Sequence, residues 1–424
     1  MIKFGYAETD ITPEKSIELM GFNREDNWSK GVLKPLYAQV SVWESEERSC
    51  LIAIDSIGFK VELADKLRME VADQLKISTD RVMLCFSHCH SAPNVDEHFE
   101  YFTLVCEKVF LAVNAAVRDM KPVAVGWDNV EVNIGVNRRE DNENIDNRAG
   151  VLKVCDTNND ETQLILVRLT AHCNVLKRDN FMVSPDYFGN VREVLQENCK
   201  CPVMVIQGAA GNIAPKYFSS NINPMDARGP QYVRSQKALD EMAAAVCDKI
   251  IPIISNISME ANLSAVMFSK EIVLYANVPS AEEAEKVMKE AYDDCGIDGS
   301  AWQMETERLR SAGIEKQEET VEVHYFKIGE WCICGVPFEL MVEFALDAKQ
   351  RLKNEFFYVN GYTNGCSSYF PTEEEFDKGG YEVHWAMLIY FQYYNRVFPF
   401  ERSSAAKLMD FIVKNAKVYT SKSF

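Results

Sequence analysis

The chain has 424 residues, 47% of them hydrophobic, and a net charge of −19, so it can bury one large core or two. No basic run accompanies that acidity, which argues against nucleic-acid binding and bears mainly on solubility. No apolar stretch approaches the ~20 residues of a membrane span, and the opening MIKFGYAETDITP lacks the apolar core of a signal peptide. These features point to a cytoplasmic protein, or to a secreted one whose leader has been removed. The 13 cysteines are odd in number, and several sit in apolar runs (Cys85, Cys332, Cys334) as reduced, buried residues. Cys199-x-Cys201 and Cys332-x-Cys334 lack partner pairs at zinc-finger spacing.

In chain order, Asp10 or Thr12 of Asp10-Ile11-Thr12-Pro13 reads as a turn or cap residue, and Met20-Gly21-Phe22 follows. Leu36–Glu44 and Cys50–Ile54 read as strands, the second tipped by Asp55, and Val61–Leu75 has helical spacing. Val82–Phe86 is a short apolar run with the composition of a buried strand. It leads into Ser87-His88-Cys89-His90-Ser91 and is broken by Pro93. Carboxyl ends of strands are where open α/β sheets hold ligands. Two readings fit His88 and His90: polar loop residues, or ligands of a metal. Histidine is scarce, six in the chain with two here, which favours the metal.

Phe99–Val117 is a long helix pattern, and strand–helix alternation gives an α/β signal. Val123–Val136 reads as strand, ending near Asn137-Arg138-Arg139. The charged stretch 139–149 reads as a surface loop. Gly150–Cys155 and Leu164–Thr170 form a hairpin pair, and the second runs into His172. Two strands delivering histidines to their tips suits a catalytic zinc. Ser184 and Pro185 read as the cap and first turn of a helix over Phe188–Asn198. After the strand Pro202–Ile206, the loop Gln207–Pro215 is rich in small residues. Gly208, Gly211, Asn212 and Ala214 there suit either close backbone approach to a substrate or a tight turn.

Gln231–Ile250 is an amphipathic helix and Ile257–Tyr275 a strand. Ala281–Cys295 and Ala301–Glu318 read as a pair of charged helices, an insertion spanning about 276–318. Val321–Cys334 is strand-like. A helix is then expected from Gly335-Val336-Pro337-Phe338-Glu339 to Leu352, with Glu339 and Glu343 on one face. Phe356–Val359 reads as strand, Gly361–Gly365 as turns, and Ala405–Lys414 as a last helix. No repeat is visible. The expected architecture is a mixed α/β fold: a largely buried central sheet with helices on both faces, in one large catalytic domain (1–424) with a small helical insertion.

At this point the residues resemble a family, the N-terminal catalytic domain of the neutral/alkaline, non-lysosomal ceramidases. The matches run in order: Asp10-Ile11-Thr12-Pro13 with Met20-Gly21; Ser87-His88-Cys89-His90-Ser91-x-Pro93; Asn137-Arg138; the strand ending in His172; Gln207 with Gly211 and Pro215; Gly335-Val336-Pro337-x-Glu339; and Gly361-Tyr362-Thr363-Asn364 running to Tyr369. The resemblance implies a zinc ion held by His88, His172, Glu339 and Tyr369. It implies proton or substrate handling by His90, and a place for Arg138 beside the site; Asp55 and Asp186 are weaker matches. The family loop carries Gly-Asp-x-Ser-Pro, where this chain has Gly211-Asn212-Ile213-Ala214-Pro215, so a covalent serine is closed to it at Ala214. The family's immunoglobulin-like C-terminal domain is not expected here.

The function expected is zinc-dependent hydrolysis of an amide, ceramide-like N-acyl lipids included, or of an ester. A zinc-activated water would attack, with His90 as general acid/base and Arg138 stabilising the oxyanion. The substrate would be a small or lipid-like molecule. The alternative is a non-catalytic binding homologue that keeps the pocket without turnover, a reading that Ala214 and Asn212 favour.

Overall fold

A computed structural model describes residues 1–217 and 232–420. Its centre is an eight-stranded mixed sheet. The strands are β1 (Ile2–Asp10), β2 (Tyr37–Glu44), β3 (Arg48–Ile54), β4 (Val82–Phe86), β5 (Lys121–Glu131), β6 (Arg148–Asp156), β7 (Thr162–Leu169) and β8 (Val203–Gln207). Their order across the sheet is β8-β7-β6-β5-β1-β2-β3-β4. The helices α1 (Val61–Leu75), α2 (Phe99–Arg118), α3 (Asp186–Cys199) and α4 (Gln236–Ile254) follow β3, β4, β7 and β8.

This order contains a repetition that the sequence does not display. Each half runs strand, strand, strand, helix, strand, helix. In each half the first three strands pair antiparallel and the last two pair parallel around a crossover helix. The halves meet where β1 and β5 pair antiparallel over three residues. Parallel pairs need such a crossover, and they place the carboxyl ends of both strands on one side. The sheet is curled enough to bring its outer strands together: the Gln207 amide on β8 donates to the Ser87 carbonyl just past β4, at 3.2 Å. Gln39 on β2 likewise donates to the Val203 carbonyl on β8 at 2.6 Å.

Alternation along the strands splits the core. One set of side chains, including Val40, Val42, Ile52 and Val167, packs with α1–α4. The other, including Phe4, Trp43, Leu152 and Ile206, packs with a second sheet. That sheet holds β9 (Ala265–Asn277), β10 (Lys316–Ile328), β11 (Trp331–Gly335) and β12 (Phe357–Asn360), in that order. Its other side packs against α7 (Glu343–Leu352) and α8 (Ser404–Thr420) through Val323, Phe344, Leu408 and Ile412. Mixed α/β with a large buried sheet is therefore the fold, with helices outermost on both sides. The second strand layer lies between the central sheet and one helical layer.

Four expectations need correction. Glu339 lies in a two-residue strand, Glu339–Leu340, paired parallel with Tyr369–Phe370; the helix begins only at Glu343. Glu339 and Glu343 therefore do not share a helix face. The second inserted helix, α6 (Ser300–Ser311), stops short of Gly313, whose φ of +73 suits a chain reversal into β10. Segment 139–149 is a surface loop only in its middle, where Glu140, Asp141, Glu143 and Asn144 are exposed: Asp146 is buried between Arg148 and Arg168, both at 2.8 Å, and Arg139 pairs with Glu375 at 2.6 Å. Ser184 accepts the Asp186 N–H at 3.0 Å, but the helix starts at Asp186 itself. Of the expected helix from Gln231, that residue lies outside the described ones; α4 is capped by Ser235, which accepts from Ala238 N–H. No helix among the described residues is long and apolar enough to cross a membrane.

Candidate metal centre

The carboxyl ends of β3, β4, β7 and β8 converge, and the backbone there is heavily cross-tied. Cys89 N–H donates to Ser56 O (3.1 Å), His90 N–H to Cys173 O (3.3 Å) and His172 N–H to Ile213 O (2.8 Å). Gln207 bridges the two histidine loops, reaching Ser87 O and, at 2.9 Å, Ala171 O. These are the peptide groups immediately before His88 and His172.

Three imidazoles meet there. The ring centroids of His88 and His172 are 4.8 Å apart, those of His88 and His90 4.9 Å, and those of His90 and His172 5.6 Å. One ligand atom from each lies within 4.8 Å of the others. His88 adopts φ 57, the left-handed region that costs a non-glycine residue ~1 kcal/mol or more, and such strain clusters at functional sites. Tyr362, also left-handed at φ 52, stacks on the His88 ring with centroids 4.3 Å apart.

The tautomers follow from the partners. Each Nδ1 faces a backbone carbonyl, which can only accept: His88 to Ile57 O (2.7 Å), His90 to Gly21 O (2.9 Å), His172 to Ala210 O (2.6 Å). Each Nδ1 therefore carries the proton, and each Nε2 turns a lone pair inward. Burial, reinforced by Arg138, lowers the His172 pKa to about 4; burial also holds His90 well below its usual value. Both rings are therefore neutral at pH 7.

Glu339 completes the set. Its Oε2 lies 3.1 Å from His88 Nε2 and 3.2 Å from His172 Nε2. His90 Nε2, His172 Nε2 and Glu339 Oε2 are buried and have no hydrogen-bond donor among the described residues. Inward lone pairs facing a carboxylate oxygen repel one another, and a cation between them removes that cost. The donor set, nitrogen and oxygen with backbone carbonyls orienting each ring, fits zinc.

Close approach demands two glycines here. A Cβ on Gly21 (φ +101) would stand 2.6 Å from the His90 ring, and one on Gly211 2.3 Å from the Glu339 carbonyl.

Tyr369 stands beside Glu339 in the strand register, its hydroxyl accepting from Arg138 at 3.1 Å. Burial, then the Glu339 charge, keeps it a phenol. Arg138 also donates to Gly211 O (2.7 Å) and faces Glu382 at 2.7 Å. In the small-residue loop, Gly208 N–H is spent on Leu169 O (2.7 Å) and Gly211 N–H on Leu340 O (2.8 Å). The Asn212 amide is held by Glu343 and by Val342 N–H, and Ala214 is buried in a short strand against Val136. These contacts give the loop a part in holding Glu339 and His172. Asp55 pairs with Arg192 at 2.8 Å, and Asp186 accepts the N–H groups of Val175, Leu176 and Tyr187.

Two residues were missed in sequence. Arg24, buried, donates to His90 O at 2.7 Å and to Asn180 O at 2.9 Å, fastening the His90 loop. Glu382, on a π-helical turn at Tyr381–Trp385, holds Arg138 and Arg139 together. Neither carries a local signal.

Comparison with solved structures shows this fold in a neutral ceramidase from Pseudomonas aeruginosa: TM-score 0.72, 17% identity, over 97% of this chain and 73% of that one. A ceramidase complexed with C2 gives TM-score 0.72 and 16% identity, over 97% and 74%. At these identities the likeness is one of fold. No protein-family model matches the sequence, and no curated protein matches it.

Proposed function

We propose that the chain is a zinc-dependent hydrolase of an amide bond, in the manner of an N-acyl lipid amidase, or of an ester. The observation that carries this reading is the set of inward Nε2 lone pairs facing Glu339 Oε2 with no donor among them. The fold shared with ceramidases supports hydrolysis of an N-acyl bond. His88, His172 and Glu339 would hold the ion, with Tyr369 beside them. Bound there, zinc supplies a water acidified to a pKa of ~7 and a Lewis acid for the scissile carbonyl.

The protein's own groups do the rest. His90, neutral and fixed by Gly21 O, takes a proton at Nε2 from the attacking water and passes it to the leaving group. Arg138, kept charged by Glu382 despite burial, steadies the Tyr369 hydroxyl and the negative charge that develops beside it. No step needs a hydroxyl at Ala214.

A screen of amide and ester probes, with and without chelator, tests this. Turnover that a chelator abolishes and zinc restores, and that Glu339→Gln and His90→Ala each reduce at least a hundredfold, is the expected result. Turnover indifferent to the chelator contradicts it. The non-catalytic reading rests on Asn212 and Ala214, which are committed to structural contacts. Zinc-dependent ligand binding without turnover of any probe would favour it.

A further inference from the structure

The cavity that opens onto His88, His90 and Glu339 is small, about 60 Å³, against ~300 Å³ or more for a pocket enclosing a drug-sized ligand. The group that seats in it is compact. Its far wall is aromatic: Tyr381, Tyr390, Tyr393 and Tyr394 line it together with Asp96. The Tyr390 ring lies 6.4 Å from Tyr393 at 63° and 6.1 Å from Tyr394 at 48°. These rings are neighbours in the lining, and an aromatic face attracts a cation that comes within ~6 Å of its centroid.

Apart from the histidines, the charged side chains that line it among the described residues are the carboxylates Asp96 and Glu339. Asp96 Oδ1 accepts Lys60 N–H at 3.0 Å, and no donor among the described residues reaches Oδ2. The wall already seats one cation of the chain's own: Lys60 Nζ lies 4.4 Å from the Tyr393 ring centroid. The wall is also braced. Its segment packs through Leu388, Val397 and Phe398 on α5 (Ala281–Cys295) and α6, and Trp302 donates to Val397 O at 2.5 Å. The helical insertion thus supports the pocket.

We propose that this pocket recognises a compact cationic amine, an alkyl- or trimethylammonium group, held by Asp96 and the faces of Tyr390, Tyr393 and Tyr394. Taken with the hydrolase reading, on which this extension rests, the substrate would be an acylated amino compound whose ammonium sits opposite the scissile bond.

Two matched pairs of probes test it on the intact protein. The first reads binding alone: choline against its uncharged isostere 3,3-dimethylbutan-1-ol, by calorimetry, with and without zinc. Choline is expected to bind roughly tenfold tighter, with that margin lost in Asp96→Asn and Tyr390→Ala and kept in Tyr390→Phe. Equal affinity of the two probes for the wild type overturns the proposal without recourse to any variant; so does a choline preference that Asp96→Asn leaves intact. The second pair reads turnover: acetylcholine against 3,3-dimethylbutyl acetate. Chelator-sensitive hydrolysis of both esters at equal kcat/KM sinks the cation site and leaves the hydrolase. A choline preference with no hydrolysis of either ester, and none in the amide screen, keeps the cation site and sinks the hydrolase.

Discussion

Replacing Gln207 by methionine is the sharpest test of how the fold holds the site. The side chain is buried and spans the two histidine loops, with Ser87 O at 3.2 Å and Ala171 O at 2.9 Å. Methionine keeps the volume and removes both donors. Ala171 O retains the Tyr187 hydroxyl at 2.8 Å, so it is not orphaned. Ser87 O has no other donor among the described residues, and a buried carbonyl left so costs ~1–3 kcal/mol on top of ~1 kcal/mol for a lost bond. The expected loss is about 2–4 kcal/mol in urea unfolding. Because these carbonyls precede His88 and His172, zinc affinity should also fall ~10–100-fold, the range for groups that orient metal ligands. Competition with a chromophoric chelator measures it. Stability within 0.5 kcal/mol and zinc affinity within about threefold of wild type would refute the argument that Gln207 sets the two loops.

Other expectations follow from the buried charges. Asp146→Ala strands two buried guanidiniums, Arg148 and Arg168, and should cost ~3–5 kcal/mol by thermal or urea unfolding. His324, sealed between Asp80 O and Asn364, has its pKa lowered by burial to about 4 from 6.5. The unfolded chain then binds the extra proton, so stability should fall as pH drops from 6.5 to 4, by up to ~3 kcal/mol. Urea titrations across that window should show His324→Gln with a shallower slope; an unchanged slope would contradict the assignment. Ala214→Ser restores the hydroxyl of the ceramidase loop at a fully buried position. It should cost ~1–3 kcal/mol and add no burst phase of covalent intermediate in rapid-quench kinetics.

The sequence disclosed what local pattern can encode. The run Val82–Phe86 and the spacing of Val61–Leu75 set those elements to the residue, because apolar periodicity records burial. His88, His90 and His172 stood out because histidine is rare and ends two apolar runs. Glu339 was found through the resemblance but placed on the wrong element, since a two-residue strand held by a partner thirty positions on leaves no periodic trace. The buried charges at the ends of segment 139–149 looked solvated because their partners, Arg168, Glu375 and Glu382, lie far along the chain. The second sheet hid because apolar periodicity marks a strand but not which sheet it joins or what covers it. The duplicated topology is invisible because pairing direction is a property of the assembled sheet.

Metal content decides the central claim. Protein purified without added metal, then equilibrated with zinc and desalted, should carry about one equivalent by mass spectrometry. His88→Ala, His172→Ala and Glu339→Gln should each retain far less while still folded by circular dichroism. Wild type that holds no zinc, or variants that hold as much as wild type, would contradict the account.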